Sequence, residues 1–315
     1  MSVTLVFPGQ GSQYVGMGST FKDDLAFGLF GRADQALGFN LTQLCLEGPE
    51  DKLKLTEFTQ PAIVTHSLAM LEMLRPKLTA AGVAIDRVLG HSVGEYAALV
   101  AAGALSFEDA VKAVNLRGKA MQEAVPVGAG KMVAILKIGE DWVEKACAAA
   151  STATEKVMPA NFNDPKQIVI SGHAAACDRA VAWLAENCQE KHGAIPLNVS
   201  APFHSSLMEP AAKVMENYLT TITMRAPHTA YVANVDAKLY HAGADAAGIR
   251  QRLVDQVCGS VRWTQSISAL PADTRYIEVG PGKVLAGLIK RIQPEARVLS
   301  LDTAGAFDKL PEFLA

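Results

Sequence analysis

Hydrophobic and polar positions along this chain follow two rhythms. Val3 to Phe7, apolar but for Thr4, reads as a buried strand running into the loop Pro8-Gly9-Gln10-Gly11-Ser12-Gln13. Helical spacing then dominates to about Gly82. It is clearest from Pro61 to Leu78, where Ile63, Val64, Leu68, Leu71 and Leu74 share one face and Pro61 suits a first turn. A second apolar run, Val88-Leu89, enters Gly90-His91-Ser92-Val93-Gly94, and a small-residue helix from Tyr96 to Ala102 leaves it. Ser106, with Asp109 three residues on, marks another helix start, and that helix carries Val111, Val114, Leu116 and Arg117 towards Met121.

After the Pro126-Val127-Gly128-Ala129-Gly130 stretch the order of elements changes. The pattern predicts strands over Lys131–Ile138, Val157–Phe162, Gln167–Ser171 and Ala194–Val199, with helices over Glu140–Ala150 and Ala174–Asn187 and a turn through Asn163-Asp164-Pro165. In order this is β-α-β-β-α-β, a ferredoxin-like arrangement. Residues 128–199 are therefore expected to be a ferredoxin-like subdomain inserted into a larger α/β domain made of 1–127 and 200–315. That domain resumes with a strand at Tyr231–Asn234, a helix at Ile249–Val257 and a strand at Tyr276–Val279. Gly280-Pro281-Gly282 then turns into a helix from Val284 to Ile292.

Composition narrows the function classes. Of the 315 residues half are hydrophobic and 19% charged, and the formal net charge of -3 gives no basic excess for nucleic acid or a membrane surface. No apolar stretch reaches the ~18 residues of a spanning helix, and the N-terminus has no basic region of a signal peptide. The five cysteines (45, 147, 177, 188 and 258) are odd in number and never form Cys-x-x-Cys, which points to reduced thiols, a cytoplasmic setting and no metal site.

The chemistry centres on Gly90-His91-Ser92-Val93-Gly94. Gly-x-Ser-x-Gly between a strand and a helix is a nucleophile elbow, with the serine hydroxyl exposed above the sheet. Ser92 needs a base. Seven histidines are available, at 66, 91, 173, 192, 204, 228 and 241. His204 stands apart because Ser200-Ala201-Pro202-Phe203-His204-Ser205-Ser206 is a stiffened loop where the chain returns from the insert, although a lone loop histidine is by default a solvated side chain. No acidic residue marks a third member: Asp164 is the nearest, and it reads more simply as a turn residue, so a backbone carbonyl is the alternative. The main-chain N–H of Val93 and that of Gln10 are candidate oxyanion donors. The Gly9–Gly11 loop could equally be a plain turn, and it lacks the Gly-Lys-Ser/Thr ending of a phosphate cradle.

Taken together these segments resemble the malonyl-CoA:acyl carrier protein transacylase family. The resemblance runs nearly end to end, through Phe7–Gln13, Thr59-Gln60-Pro61-Ala62, Gly90–Tyr96, Arg117–Gln122, Ala160–Asn163, Pro202-Phe203-His204, Asn234-Val235-Asp236 and Glu278–Gly282. It implies an α/β-hydrolase-like core and malonyl transfer through a serine ester by a ping-pong route, supplying fatty acid synthesis. Coenzyme A thioester and phosphopantetheine-bearing acyl carrier protein are then substrates, with no further cofactor, and a monomer is expected. It implies Ser92 as nucleophile, His204 as base, Gln10 and Val93 as oxyanion donors, and the Gln256 carbonyl as the group orienting His204. Arg117 would bind the malonyl carboxylate and Phe203 would crowd substituents at C2. An acidic carrier calls for a basic rim, for which Lys283, Lys290 and Arg291 are candidates. A serine hydrolase, a polyketide or malonate-decarboxylase transacylase, and a catalytically silent docking module remain the alternatives.

Overall fold

The computed structural model describes residues 1–315. Ten strands are present: β1 (Ser2–Phe7), β2 (Ala84–Gly90), β3 (Gly130–Leu136), β4 (Val157–Asp164), β5 (Gln167–His173), β6 (Gly193–Pro196), β7 (Ala230–Val232), β8 (Leu239–Tyr240), β9 (Arg275–Val279) and β10 (Arg297–Leu301). Six form one sheet in the order β10-β9-β1-β2-β7-β8, parallel except for β8, and four form an antiparallel sheet in the order β4-β5-β3-β6. Helices cover both faces of a parallel sheet, so its central strands are buried on both sides; in β1 every residue from Val3 to Phe7 is buried, Thr4 among them.

β1 lies between β2 and β9, and the loops leaving the carboxyl ends of all three converge. This is where open parallel sheets hold their ligands. The loops touch closely enough to dictate glycine. A Cβ on Gly94 would lie 2.2 Å from the Phe7 carbonyl oxygen, and one on Gly90 would lie 1.9 Å from the Gly94 carbonyl carbon. The elbow is thus pressed against the end of β1 with no room for a methyl group.

The long helix Thr56–Ala80 starts five residues before Pro61, so Pro61 is not in the first turn as the pattern predicted. A proline inside a helix deprives one carbonyl of its donor. Here the deprived carbonyl, Glu57, receives the Asn115 side-chain amide at 2.8 Å. Asn115 belongs to the neighbouring helix, Phe107–Glu123, which begins on the Ser106 cap: Ser106 Oγ accepts from Asp109 N at 3.1 Å. The two helices meet at Gly118, where a Cβ would lie 2.5 Å from the Thr56 carbonyl oxygen. This close approach sets Arg117 beside Gln60.

The antiparallel sheet and its two helices, Glu140–Ala150 and Ala174–Asn187, enclose an apolar core of their own that includes Val133, Ile135, Val143, Phe162, Ile170 and Leu184. It is stitched to the rest by main-chain bonds from Phe162 N to Val261 O and from Val261 N to Ala160 O, and by the Asp164–Arg291 ion pair at 2.5 Å. Asp164 ends β4 rather than sitting in the turn, which is made by Pro165 and Lys166. The last strand of this sheet stops at Pro196, short of the predicted Val199. No helix is long and apolar enough to cross a membrane.

Candidate active site

Ser92 sits at the bend between β2 and the helix Gly94–Ala101 with φ of 50°. Left-handed backbone is costly for a residue with a side chain. Four non-glycine residues adopt positive φ, and His204, at 56°, is another of them. The bend is held by Asn234, which accepts from Ser92 N at 2.7 Å and donates to the Gly90 carbonyl at 2.6 Å.

The Ser92 hydroxyl lies 2.7 Å from His204 Nε2, and His204 Nδ1 lies 2.9 Å from the Gln256 carbonyl and 3.1 Å from that of Gly259. Carbonyls only accept, so Nδ1 carries the proton and Nε2 is left as acceptor for the hydroxyl. The absence of a third acid in the sequence has a simple physical counterpart. The helix Ala246–Cys258 ends here, and the last carbonyls of a helix have no intrahelical donor. The imidazole serves as that donor, at the negative end of the helix dipole. Burial, with Arg117 adding to it, depresses the His204 pKa to about 3, so the ring is neutral at ordinary pH.

Arg117 is 1% exposed and forms no salt bridge within the protein. Its Nη1 donates to Gln60 Oε1 at 2.9 Å, and its Nη2 to Gln256 Oε1 at 3.0 Å and to Ser92 Oγ at 3.2 Å. Its Nε is buried without a partner. Burial lowers the guanidinium pKa, but arginine stays charged in proteins. Every group its donors reach is neutral, which leaves this buried cation with no directly bonded anion.

These groups open into a cavity of about 120 Å³ lined by Gln10, Gln60, His91, Ser92, Arg117, Met121, Met132, Asn161, Leu197, Val199, Phe203 and His204. A larger hollow of about 890 Å³, lined by Leu25, Leu29, Leu68 and Phe107 among others, contains no serine, cysteine or histidine. Neither the Val93 nor the Gln10 main-chain N–H has an acceptor inside the protein. No group of three His, Cys, Asp or Glu side chains is placed to hold a metal ion.

The structure thus brings Ser92, His204, Arg117, Gln256, Gln10 and Phe203 to one place. Of the other histidines, His66 contacts the Asp302 carbonyl at 3.1 Å, and His91, which lines the cavity, contacts Asn163 Oδ1 at 2.9 Å. Asp164 is committed to Arg291 and to Lys166 N, which removes it as an orienting acid. Of the three basic residues suggested for a rim, Lys290 bonds the Pro294 carbonyl and Arg291 is held by Asp164 and Gln167. Lys283 makes no ion pair, and its neighbour Gly282 abuts Ser12 on the loop after β1. Sequence reasoning gave no role to Gln60, Asn234, Glu95 or the Gln256 side chain. All four are buried polar groups inside helices or at a strand end, where a sequence shows only one more amide or acid.

A model of the acyl transferase domain matches residues 4–293. Malonyl CoA-acyl carrier protein transacylase of Bacillus subtilis is 41% identical, with 95% of this chain and 93% of that protein covered. A solved structure of malonyl CoA-acyl carrier protein transacylase from Coxiella burnetii superposes with a TM-score of 0.91 at 38% identity, covering 99% and 98% of the two chains. A type II PKS acyl-carrier protein has been solved in complex with its malonyl-transacylase, which this chain matches at a TM-score of 0.89 and 36% identity over 99% of each. Near-complete coverage in both directions, at identities far above those that show a fold alone, establishes that the chain belongs to the malonyl CoA-acyl carrier protein transacylase family.

Proposed function

We propose that this chain transfers a malonyl group from malonyl-CoA to the phosphopantetheine thiol of an acyl carrier protein, supplying fatty acid synthesis in the cytoplasm. The observation that carries the reading is Arg117: a buried guanidinium without a carboxylate partner, 3.2 Å from a hydroxyl that is itself 2.7 Å from an imidazole. An acyl group bearing its own carboxylate suits that arrangement, because a guanidinium fork pairs with a carboxylate through two charge-assisted bonds.

The reaction has two halves. Ser92 Oγ attacks the thioester carbonyl while His204 Nε2 takes its proton, and the Val93 and Gln10 N–H groups receive the oxyanion. The intermediate collapses to the malonyl-serine ester, and coenzyme A leaves as a thiol with the proton from His204. The carrier thiol then attacks the ester, His204 again acting as base, and Ser92 is restored with its proton. The Gln256 carbonyl keeps the imidazole in the needed tautomer throughout. Phe203 borders the cavity and would limit substituents at C2.

In architectural terms we read the parallel sheet with its helices as an α/β-hydrolase-like core, residues 1–127 and 200–315, and residues 128–199 as an inserted ferredoxin-like subdomain. The sheet order β6-β3-β5-β4 supports the latter reading. For carrier docking the reading rests on Lys283 and Lys290, since Arg291 is spoken for by Asp164.

Intact mass after exposure to malonyl-CoA tests the proposal. Wild-type protein should gain one malonyl group, lose it on addition of phosphopantetheinylated carrier, and gain none as Ser92→Ala. An adduct that persists in Ser92→Ala, or release to water at the same rate with and without carrier, would overturn it, the latter in favour of a hydrolase.

A further inference from the structure

Behind the nucleophile lies a charged residue that the two half-reactions do not use. Glu95 occupies the first turn of the helix Gly94–Ala101, is 1% exposed, and has no cation within ion-pair distance. Its Oε2 accepts from Gln256 Nε2 at 2.6 Å and from Asn234 N at 3.3 Å. Those two neighbours hold Ser92, His204 and Arg117: Asn234 bonds the Ser92 amide, while Gln256 bonds His204 through its carbonyl and Arg117 through its side chain.

We propose that Glu95 is a positioning residue for acyl-group selection: as an acceptor-only carboxylate it fixes the orientation of the Gln256 amide, and that amide aims Arg117 at the acyl group on Ser92. This rests on the malonyl-transfer reading above.

A primary amide can sit either way round in the same space, and its partners decide which. Gln256 lies between a group that only accepts and a group that only donates. Glu95 therefore takes the NH2, which also reaches the Ser92 carbonyl at 3.0 Å, and Oε1 is turned to Arg117 Nη2 at 3.0 Å. A neutral amide at position 95 can donate as well as accept, and of the two acceptors that hold the Gln256 NH2 only the Ser92 carbonyl then remains. A turned Gln256 would present N–H to a guanidinium, which has no acceptor. The indirect linkage also has a purpose that a direct ion pair would defeat. A carboxylate bonded straight to Arg117 would occupy the fork meant for substrate, whereas one amide away it offsets the buried charge and leaves the fork open.

The carboxyl is faced by Arg117 from the helix Phe107–Glu123, by Asp236 after β7, by Tyr231 on β7, and by Tyr96 on its own helix. Burial pushes its pKa up to about 7; the bonds from Gln256 and Asn234 and the charge of Arg117 oppose this, and Asp236 adds to it. The wild-type protein can thus be carried between carboxylate and acid near neutrality, which provides a test without mutation.

The readout is the ratio of kcat/KM for malonyl-CoA to that for acetyl-CoA, because Ser92 and His204 serve both donors and cancel. Glu95→Gln should lower the ratio about tenfold, the scale of one hydrogen bond to a charged group, chiefly by raising KM for malonyl-CoA. It should have no further effect on the ratio in an Arg117→Ala background. Glu95→Asp keeps an acceptor-only group and should retain most of the preference. In wild-type protein the ratio should fall as pH drops from about 8.5 to about 6. Equal losses for both donors, a Glu95→Asp loss as large as that of Glu95→Gln, or a wild-type ratio flat with pH would overturn the proposal. If Glu95→Gln does not fold, the wild-type pH series decides. Failure of the malonyl reading is seen separately, as a wild-type protein that forms no malonyl adduct.

Discussion

Replacing Arg117 with alanine removes a guanidinium that the protein has already desolvated. Its donors now satisfy Gln60 Oε1, Gln256 Oε1 and Ser92 Oγ. The two amide acceptors lose their donor in the variant whichever substrate is bound, so that damage is common to every acyl group. What differs between donors is the free carboxylate. Malonyl-CoA loses two charge-assisted hydrogen bonds, each worth about 1.5–2 kcal/mol at the lower end of the range for charged partners. Their sum, about 3–4 kcal/mol, is a fall of roughly 10²- to 10³-fold in kcat/KM. Acetyl-CoA has no such bond to lose, and its decline should stay within about tenfold, from the shared damage and the lost contact with Ser92 Oγ. The assay is transfer to phosphopantetheinylated carrier from each donor in turn, with thiol release followed continuously. A loss of equal size for both donors would refute the reasoning, since it would make Arg117 a structural residue with no part in recognising the acyl group.

Other perturbations probe the frame. Gly94→Ala places a methyl carbon 2.2 Å from the Phe7 carbonyl oxygen, which is main chain and cannot swing aside; chemical denaturation should show a loss of about 3 kcal/mol, the upper end of overpacking, and a native-like midpoint would contradict the close approach. Asn115→Ala strips the Glu57 carbonyl of the donor that stands in for Pro61, and should lower stability by about 1 kcal/mol by the same measurement; an unchanged midpoint would mean that water replaces it at no cost. His66 is buried with its pKa lowered from 6.5 to about 4, so the unfolded chain binds the proton first as pH falls. Its contribution is complete above about pH 6.5 and is lost as pH falls towards 4, and His66→Gln, which keeps a donor for Asp302, should flatten the decline of unfolding free energy across that window. Parallel curves for the two proteins would remove His66 as a source of the acid sensitivity.

The sequence was informative where a local rule had one outcome. Apolar runs between turn residues predicted the central strands, and Ser106 with Asp109 announced its helix through a cap that needs no distant partner. The helices Glu140–Ala150, Ala174–Asn187 and Val284–Ile292 were legible to the residue. Pro61 misled because its missing donor is supplied from another helix, by a residue 54 positions along that nothing local links to it. The helix Glu209–Thr221 and the strand β10 went unremarked, since neither is flanked by a distinctive turn on the scale of the elbow. In the site, Ser92 was plain because its strain is written as two glycines. Gln256 entered only through the family resemblance, because its carbonyl acts only by virtue of standing in the last turn of a helix, and its side chain only by what lies on either side. Arg117 reads as an ordinary helix arginine until packing at Gly118 reveals that it is enclosed.

The cavity wall has two origins. Ser92, Arg117 and His204 stand on the parallel-sheet side, while Met132 and Asn161 project from β3 and β4 of the antiparallel sheet, and Leu197 and Val199 from the segment after β6. A lineage can therefore retune which acyl groups it admits by drift in one unit alone, leaving the reactive groups in the other under undisturbed selection. The main-chain bonds of Ala160 and Phe162 to Val261 flank Asn161, so that seam holds a residue of the cavity wall without taking part in any bond to the serine.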